Sequence, residues 1–293
     1  MIDYLAHTPA PGTLAGLAGP VGPAGPGRPD EPLHVHVHTY NEHTLVLRQN
    51  KSVHFEAPFL FLLFGNERAL LLDTGATADP ALFPLRATVD REIAEWLARH
   101  PREEYGLLVA HTHGHGDHIA ADGQFEGRPH TTVVGPELAA VTEAFGLDAW
   151  PEGLGTVDLG GRIIDVVPGP GHQDAAVVFH DRYTGLLLTG DSLYPGRLYV
   201  NDADAYGRTV DRLLGFCGAR DVTHVLGCHI EMTTTPDVEY PRGTVHQPDE
   251  APLALTTAHL RTLRRALDET GGRPGSYPYG DFVLVHEGPT RTE

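Results

Sequence analysis

The stretch HTHGHGDHIA, residues His111–Ala120, places four histidines and one aspartate within eight residues. Imidazole nitrogens and carboxylate oxygens are ligands that suit Zn²⁺ and similar borderline metal ions. His113 and His115 are two residues apart, so their side chains project to the same side of an extended segment. The intervening glycines let the backbone turn tightly between the ligands. The stretch therefore predicts a loop that wraps around a pair of metal ions.

Further candidate ligands occupy a common position, shortly after an apolar run. Asp73 follows ALLL, His172 follows RIIDVV after a short PGPG turn, Asp191 follows LLLTG, and His229 follows THVLGC. The histidine stretch itself follows LLVA. Because strand ends that face one edge of a sheet bring separate segments together, we expect these side chains to converge on one site.

The apolar runs predict the fold class. From Leu33 onward, LHVHVH, HTLVLR, PFLFLLF and RALLLDTG read as consecutive antiparallel strands, and RIIDVV, AAVVFH, GLLLTGD, THVLGCH and FVLVH read as later strands. Apolar residues that recur on one face predict four helices, over residues 86–100, 136–145, 206–217 and 252–268. This alternation predicts an α/β fold of two packed sheets flanked by helices.

The histidine stretch resembles the signature His-x-His-x-Asp-His of the metallo-β-lactamase fold superfamily, and the similarity extends from about Leu33 to Leu226 and beyond. The resemblance implies a four-layer αβ/βα sandwich of two mixed β-sheets flanked by helices, with the site at one edge. It also implies two divalent metal ions, with zinc preferred and iron or manganese as alternatives. By this resemblance, the first ion is bound by His113, His115 and His172, the second by Asp117, His118 and His229, and Asp191 bridges them.

The chemistry implied is hydrolysis by a metal-bound hydroxide, since a bound ion lowers the pKa of water from 15.7 to about 7. The expected substrates are small molecules with a carboxylic ester, thioester or lactone. Asp117 is expected to orient the nucleophile or carry a proton to the leaving group. Tyr194 follows Asp191 by three residues, as a substrate-contacting tyrosine does in family lactonases; the alternative is a packed aromatic residue. Asp73 is expected to hold a ligand histidine or its loop.

Composition and sequence pattern argue against several other functions and partners. The net charge is −18 and Lys51 is the only lysine, which argues against nucleic acid or an anionic membrane as a partner and against phosphodiester cleavage. β-Lactam hydrolysis is disfavoured because the N-terminus lacks a secretory pattern. The complete second ligand set argues against mononuclear iron chemistry. A non-catalytic metal-binding or scaffold module is the alternative from another class.

The chain is expected to form one hydrolase domain, residues 33–293, behind a Pro/Gly-rich and irregular or mobile arm, residues 1–32. No apolar run approaches the roughly 18 residues of a membrane helix, so a cytoplasmic enzyme is predicted. The polar segment 231–250 directly follows a candidate ligand, and it is either a wall of the pocket or a surface excursion. Arg197, Tyr199 and Arg242 are candidate substrate contacts.

Overall fold

The protein is described here by a computed structural model that covers residues 1–4, 9–15, 17 and 34–286. Within these ranges the strands are β1 (Val35–Asn41), β2 (Thr44–Gln49), β3 (Phe59–Phe64), β4 (Arg68–Leu72), β5 (Gly106–Ala110), β6 (Thr131–Val133), β7 (Gly155–Asp158), β8 (Ile163–Pro168), β9 (Val177–Asp181), β10 (Leu186–Gly190), β11 (Arg197–Val200), β12 (His224–Gly227), β13 (Ala254–Leu255), β14 (Gly275–Pro278) and β15 (Val283–His286). The helices are α1 (Leu85–Arg99), α2 (Gly116–Ile119), α3 (Leu138–Phe145), α4 (Ala203–Cys217) and α5 (Thr257–Thr270).

Two six-stranded mixed sheets dominate the architecture. The first has the order β1-β2-β3-β4-β5-β6, antiparallel up to β4 and parallel from β4 to β6. The second has the order β13-β12-β10-β9-β8-β7, in which the β10–β12 pair is parallel. A third sheet, β11-β15-β14, was not predicted, because its four-residue strands RLYV and GSYP carry no clear alternation.

The alternation of side chains on each strand gives both large sheets two apolar faces. Between the sheets lies a core that includes Val46, Phe61, Leu63, Val166, Phe179 and Leu188. The other face of the first sheet packs on α1 through residues such as Leu47, Leu62, Val89 and Trp96. The other face of the second sheet packs on α4 and α5 through residues such as Val178, Leu187, Leu213 and Leu263. This is the predicted four-layer αβ/βα sandwich.

Helix α5 begins later than the sequence pattern predicts. The predicted start at residue 252 is wrong, because Ala254–Leu255 pair with β12 as strand β13. Thr256 then caps the helix, with its side chain accepting a hydrogen bond from the backbone N–H of Ala258. The other three predicted helices agree with their spans to within three residues at each end. Helix α5 differs because the residues at its predicted start pair with the distant strand β12.

The two sheets approach closely at the edge where the candidate ligands emerge. Gly190, the last residue of β10, has φ +52°, and a Cβ there would lie 2.6 Å from the Cβ of Thr112. The backbone N–H of Val177 in the second sheet donates to the carbonyl of Thr112, which follows β5 of the first sheet, at 2.8 Å. Only glycine fits this approach, which brings the ends of β5 and β10 together.

The described part of the predicted N-terminal arm is packed against the domain. Tyr4 is buried against the rings of His43 and Tyr183, and the backbone N–H of Ala10 donates to the carbonyl of Tyr183. Residues 5–8, 16 and 18–33 lie outside the described residues. The boundary between an arm ending at residue 32 and a domain beginning at 33 therefore stays a prediction.

A buried ion pair joins the sheets at the edge near Tyr4. Arg162, immediately before β8, is fully buried and donates to both carboxylate oxygens of Asp181. It also donates to the backbone carbonyls of His43, in the turn between β1 and β2, and of Phe64, the last residue of β3. Burial alone would raise the pKa of Asp181, but the Arg162 charge outweighs that effect and lowers it. Asp181 is therefore an ionised carboxylate whose charge is balanced by Arg162, and the Thr184 hydroxyl and the Tyr183 backbone N–H donate to it as well.

Replacement of Arg162 by Met should lower the free energy of unfolding by about 3–5 kcal/mol, because it leaves the buried Asp181 carboxylate without its counter-charge and removes a donor from the carbonyls of His43 and Phe64. Urea denaturation followed by circular dichroism measures this loss. Arg265→Met, at an exposed position on α5, is the matched control and should change stability by less than about 0.5 kcal/mol. Equal stabilities of the two variants would show that Arg162 does not stabilise the buried Asp181 carboxylate.

Candidate metal centre

The Asp191 carboxylate lies between two groups of side chains. Its Oδ2 faces the first group, at 3.9 Å from His113 Nε2 and 3.6 Å from His172 Nε2. His115 completes this group, with its Nδ1 3.0 Å from the Nε2 atoms of both His113 and His172. Three imidazole nitrogens and one carboxylate oxygen therefore point at a common centre.

The other oxygen of Asp191 faces the second group. Asp191 Oδ1 lies 3.5 Å from His118 Nε2 and 3.3 Å from His229 Nε2. Asp117 Oδ2 lies 3.5 and 3.4 Å from the same two nitrogens. Within each group the candidate ligand atoms all lie within 4.8 Å of one another. The structure thus brings together all seven residues that the sequence singled out.

The strand ends explain this convergence. Asp73, the histidine stretch, Asp191 and His229 follow β4, β5, β10 and β12 by no more than a few residues, and His172 follows β8. Strands β4 and β5 run parallel, as do β10 and β12, and β8 has the same direction because two antiparallel steps separate it from β10. Their carboxyl ends therefore meet at one edge of the sandwich.

Hydrogen bonds to backbone carbonyls orient the rings of two candidate ligands. His172 Nδ1 lies 2.9 Å from the carbonyl oxygen of Tyr199, and His229 Nδ1 lies 3.1 Å from that of Glu56. Because a carbonyl only accepts, each Nδ1 carries a proton and leaves the lone pair of Nε2 directed inward in the neutral ring. This is the usual arrangement of a histidine that binds a metal through Nε2.

The charges of the site call for a cation. Asp191 Oδ1 is buried and has no hydrogen-bond partner among the described residues. Burial alone would lower the pKa of His118 and His229, but the neighbouring carboxylates, Asp191 first, outweigh it and raise both. Burial and its imidazole neighbours lower the pKa of His113 instead. Protons and a metal ion therefore compete for the same lone pairs, and the donor set fits a divalent ion of the zinc type.

Asp73 holds the loop that carries His113–His118, in the position that the sequence predicted for it. Its Oδ2 accepts from the hydroxyl of Thr112 at 2.9 Å and lies 3.0 Å from His118 Nδ1. Its Oδ1 accepts the backbone N–H of Thr112 at 2.7 Å, and the thiol of Cys228 lies 3.4 Å from Oδ2. Asp73 itself has φ +66°, a strained conformation that places its carboxylate under the loop.

A cavity of about 290 Å³ opens onto the two groups. It is lined by Glu56, His115, Asp117, His172, Asp191, Tyr194, Tyr199, Asn201, His229, Glu231 and Arg242. The segment 231–250 contributes Glu231 and Arg242, so it forms a wall of the cavity rather than only a surface excursion. Tyr199 and Arg242 both line the cavity, and their contact with a substrate stays a prediction.

Arg197 binds the segment 231–250 that forms this wall of the cavity. It donates to Glu231 Oε1 at 2.7 Å, lies 2.7 Å from Glu239 Oε2, and donates to the carbonyl of Tyr240. It does not line the cavity, so its expected role as a substrate contact gives way to a role in positioning the loop.

Tyr194 lies in the cavity wall with its ring 5.4 Å from that of His229, edge to face. Its hydroxyl donates to the backbone carbonyl of Arg197, and burial raises the pKa of the phenol well above its ordinary value. The side chain is therefore both packed and protonated. A catalytic role for Tyr194 stays a prediction.

Sequence reasoning missed three supports of the site. The carbonyls of Glu56 and Tyr199 hold the candidate ligands His229 and His172, and the amide of Asn201 donates to the carbonyl of His172 at 2.6 Å. Backbone carbonyls are common to all residues, so no residue pattern could have identified the first two. Asn201 follows β11, whose existence the sequence did not reveal.

Two loops that flank the cavity are joined at their bases by buried charges. Glu250, at the end of the 231–250 segment, accepts from both terminal nitrogens of Arg48, at 2.6 and 2.7 Å. Lys51 Nζ lies 3.8 Å from Glu250 and donates to the carbonyl of Phe55 at 3.3 Å. Burial and the nearby Arg48 lower the pKa of Lys51 from 10.5 to about 8.

Comparison with known proteins agrees with this geometry. The chain matches the family model of the metallo-beta-lactamase superfamily over residues 56–270. A solved metallo-beta-lactamase from Pontibacter korlensis superposes with a TM-score of 0.53 at 17% identity, covering 80% of this chain and 99% of that one. The layered sheets with the candidate ligands at one edge define the αβ/βα fold of that structure. The chain belongs to the metallo-beta-lactamase superfamily.

Two curated relatives carry names of hydrolases. A hydroxyacylglutathione hydrolase of Rhizobium meliloti is 31% identical in an alignment 161 positions long, which covers 53% of this chain and 60% of that protein. The human acyl-coenzyme A thioesterase MBLAC2 is 26% identical in an alignment 206 positions long, which covers 58% of this chain and 72% of that protein. Among the described residues, no helix combines the length and apolar character needed to cross a membrane.

Asp73→Asn should lower the affinity for zinc by roughly 10–100-fold, because the amide is a weaker acceptor for the Nδ1–H of His118 and for Thr112. Titration against a chromophoric chelator measures the change. Asp148→Asn, at an exposed position, is the isosteric control and should bind zinc as the unmodified chain does. An affinity that Asp73→Asn leaves unaltered would show that Asp73 does not support the ligands.

Lys51→Met should alter the dependence of stability on pH. The unfolded chain binds the Lys51 proton more tightly than the folded chain, since the pKa falls from 10.5 to about 8 on folding. The burial penalty is therefore complete below pH 8 and disappears as pH rises towards 10.5. Relative to Lys51→Met, the unmodified chain should gain up to about 3 kcal/mol over that interval. Urea denaturation at pH 7.5 and pH 10 tests this, and parallel pH profiles would contradict it.

Proposed function

We propose that this protein is a metal-dependent hydrolase that cleaves a carboxylic thioester, with esters and lactones as chemically related substrates. The observation that carries the proposal is the placement of Asp191, whose two carboxylate oxygens face two separate sets of imidazole and carboxylate ligands. A single-ion site or a structural site has no need of a carboxylate divided in this way. An open cavity beside the ligands gives a small molecule access to them.

We assign two divalent ions, zinc first, to these ligands. His113, His115 and His172 would hold one, Asp117, His118 and His229 the other, and Asp191 would contact both. When bound, such ions supply a nucleophile by lowering the pKa of water and stabilise negative charge that develops on the substrate oxygen. The chain itself keeps the ligand set fixed through the carbonyls of Glu56 and Tyr199 and through Asp73.

Asp117 is suited to orienting a water molecule at the cavity floor. Burial alone would raise its pKa, but the hydrogen bond and charges of His229 and His118 outweigh this and lower it to about 2. A carboxylate with so low a pKa is ionised at neutral pH and is a weak base, so its Oδ2 accepts a hydrogen bond from water more readily than it removes a proton.

The groups that line the cavity favour a thioester over an amide. Tyr194 is a poor acid because burial raises its pKa, and Asp117 is already ionised. A thiolate leaves without prior protonation, since ordinary thiols have a pKa of about 8.5, whereas an amine or alkoxide needs a proton donor. The names of the two curated relatives, a hydroxyacylglutathione hydrolase and an acyl-coenzyme A thioesterase, point to the same bond.

The cytoplasmic location of the protein stays a prediction.

His115→Ala should lower kcat/KM for thioester hydrolysis by more than the roughly 10–100-fold cost of losing a group that only supports a ligand, and should lower bound zinc by about one equivalent. Hydrolysis of an ester and thioester panel, with and without a chelator, and metal analysis of the same samples measure both effects. His246→Ala, an exposed histidine outside the cavity lining, is the control and should retain both. Near-normal turnover of His115→Ala, or activity that survives complete metal removal, would refute the proposal.

A further inference from the structure

Two loops face one another across the mouth of the cavity: residues 50–57, between β2 and β3, and residues 231–250, after His229. Their bases are fixed by the short, buried ion pair between Arg48 and Glu250. Each loop also places one charged side chain in the cavity wall, Glu56 from the first and Arg242 from the second. We refer to Glu56 and Arg242 as the mouth pair.

The mouth pair is held far more loosely than the other ion pairs nearby. Arg242 Nη2 lies 3.9 Å from Glu56 Oε1, beyond hydrogen-bond distance, whereas Arg197 and Arg48 contact their carboxylates at 2.6–2.7 Å. The Arg242 side chain is 71% exposed, and its guanidinium lies 6.0 Å from the centre of the Phe55 ring. An exposed ion pair of this kind contributes only about 0–1 kcal/mol. Arg242 can therefore exchange Glu56 for another anion at little cost.

Arg242 is also the only arginine or lysine among the described residues that line the cavity. A guanidinium presents five donors in a planar fork that matches a carboxylate or a phosphate. The whole chain carries a net charge of −18, which repels anions at distances comparable to the Debye length, about 8–10 Å. A substrate with a negative group therefore needs a local cation at the mouth, and Arg242 is placed to supply it.

We propose that Arg242 is a specificity-determining residue that binds a carboxylate or phosphate group of the substrate, remote from the carbonyl that is cleaved. Glu56 keeps Arg242 over the mouth in the free protein and competes with the substrate for the guanidinium. The loop bases stay in place during this exchange, because Arg48, Glu250 and Lys51 are buried and paired. This inference rests on the proposed thioester hydrolysis and adds the charge of the substrate to it.

The test compares three acetyl thioesters, those of neutral N-acetylcysteamine, of N-acetylcysteine with its carboxylate, and of coenzyme A with its phosphates. Arg242→Gln should lower kcat/KM for at least one anionic thioester about tenfold more than for the neutral one, the effect of losing a charged hydrogen bond. Arg265→Gln, which removes the same charge from an exposed position on α5, should leave all three values unchanged. The anionic substrate that loses rate identifies the group as carboxylate or phosphate.

Glu56→Gln gives an independent check of opposite sign. Removal of the competing charge should raise kcat/KM for the anionic thioester by about two- to fivefold relative to the neutral one, the range of an exposed ion pair. The gain should disappear in the double variant with Arg242→Gln. The carbonyl of Glu56 that holds His229 is a backbone group, so the substitution keeps it.

The outcomes separate this inference from the proposed function. If the unmodified protein hydrolyses the thioesters but Arg242→Gln lowers the neutral and anionic rates equally, or lowers neither, the inference is overturned and the proposed function stands. If the unmodified, metal-loaded protein hydrolyses none of the three, the proposed function itself fails. The proposed role of the mouth pair is supported if Arg242→Gln selectively lowers kcat/KM for an anionic thioester and Glu56→Gln selectively raises it.

Discussion

A buried carboxylate divided between two sets of imidazoles is the constraint on which the site depends. Asp191 directs Oδ2 at one set and Oδ1 at the other, and Oδ1 has no hydrogen-bond partner among the described residues. A buried anion without compensation is costly. Protons on His118 and His229 can supply part of the positive charge, as their raised pKa values indicate. Divalent ions supply more, and they match the inward lone pairs that the outer carbonyls impose.

The sandwich serves this arrangement through the direction of its strands. Five strand ends deliver ligands or their support to one edge, and the glycine at position 190 lets the two sheets close there. The cores on both faces of each sheet make those ends rigid, and the loops beyond them form the cavity. In the proposed function, chemistry and substrate recognition therefore occupy different parts of the chain: the candidate ligands lie at strand ends, and the charged mouth pair lies on loops.

Sequence patterns predicted the features that depend on the types of residues and their spacing. Apolar alternation predicted two packed sheets flanked by helices, and histidine and aspartate placed after apolar runs predicted a converging cluster. The four-layer order and the assignment of the seven ligands came from the resemblance to the metallo-β-lactamase fold superfamily. The third sheet and the start of α5 were missed because they depend on pairing with distant strands, as Ala254 and Leu255 pair with β12. The ion pairs of Arg197 with Glu231 and Glu239 could not be predicted from the sequence. The residues around an arginine near the site do not reveal whether its side chain faces the substrate or a neighbouring loop.

Anomalous diffraction at the zinc absorption edge, from crystals of the protein grown with zinc, tests the central claim most directly. The account predicts two peaks on opposite sides of the Asp191 carboxylate, one among His113, His115 and His172 and the other among Asp117, His118 and His229. A single peak, or a crystal in which these side chains bind no metal at all, would contradict it.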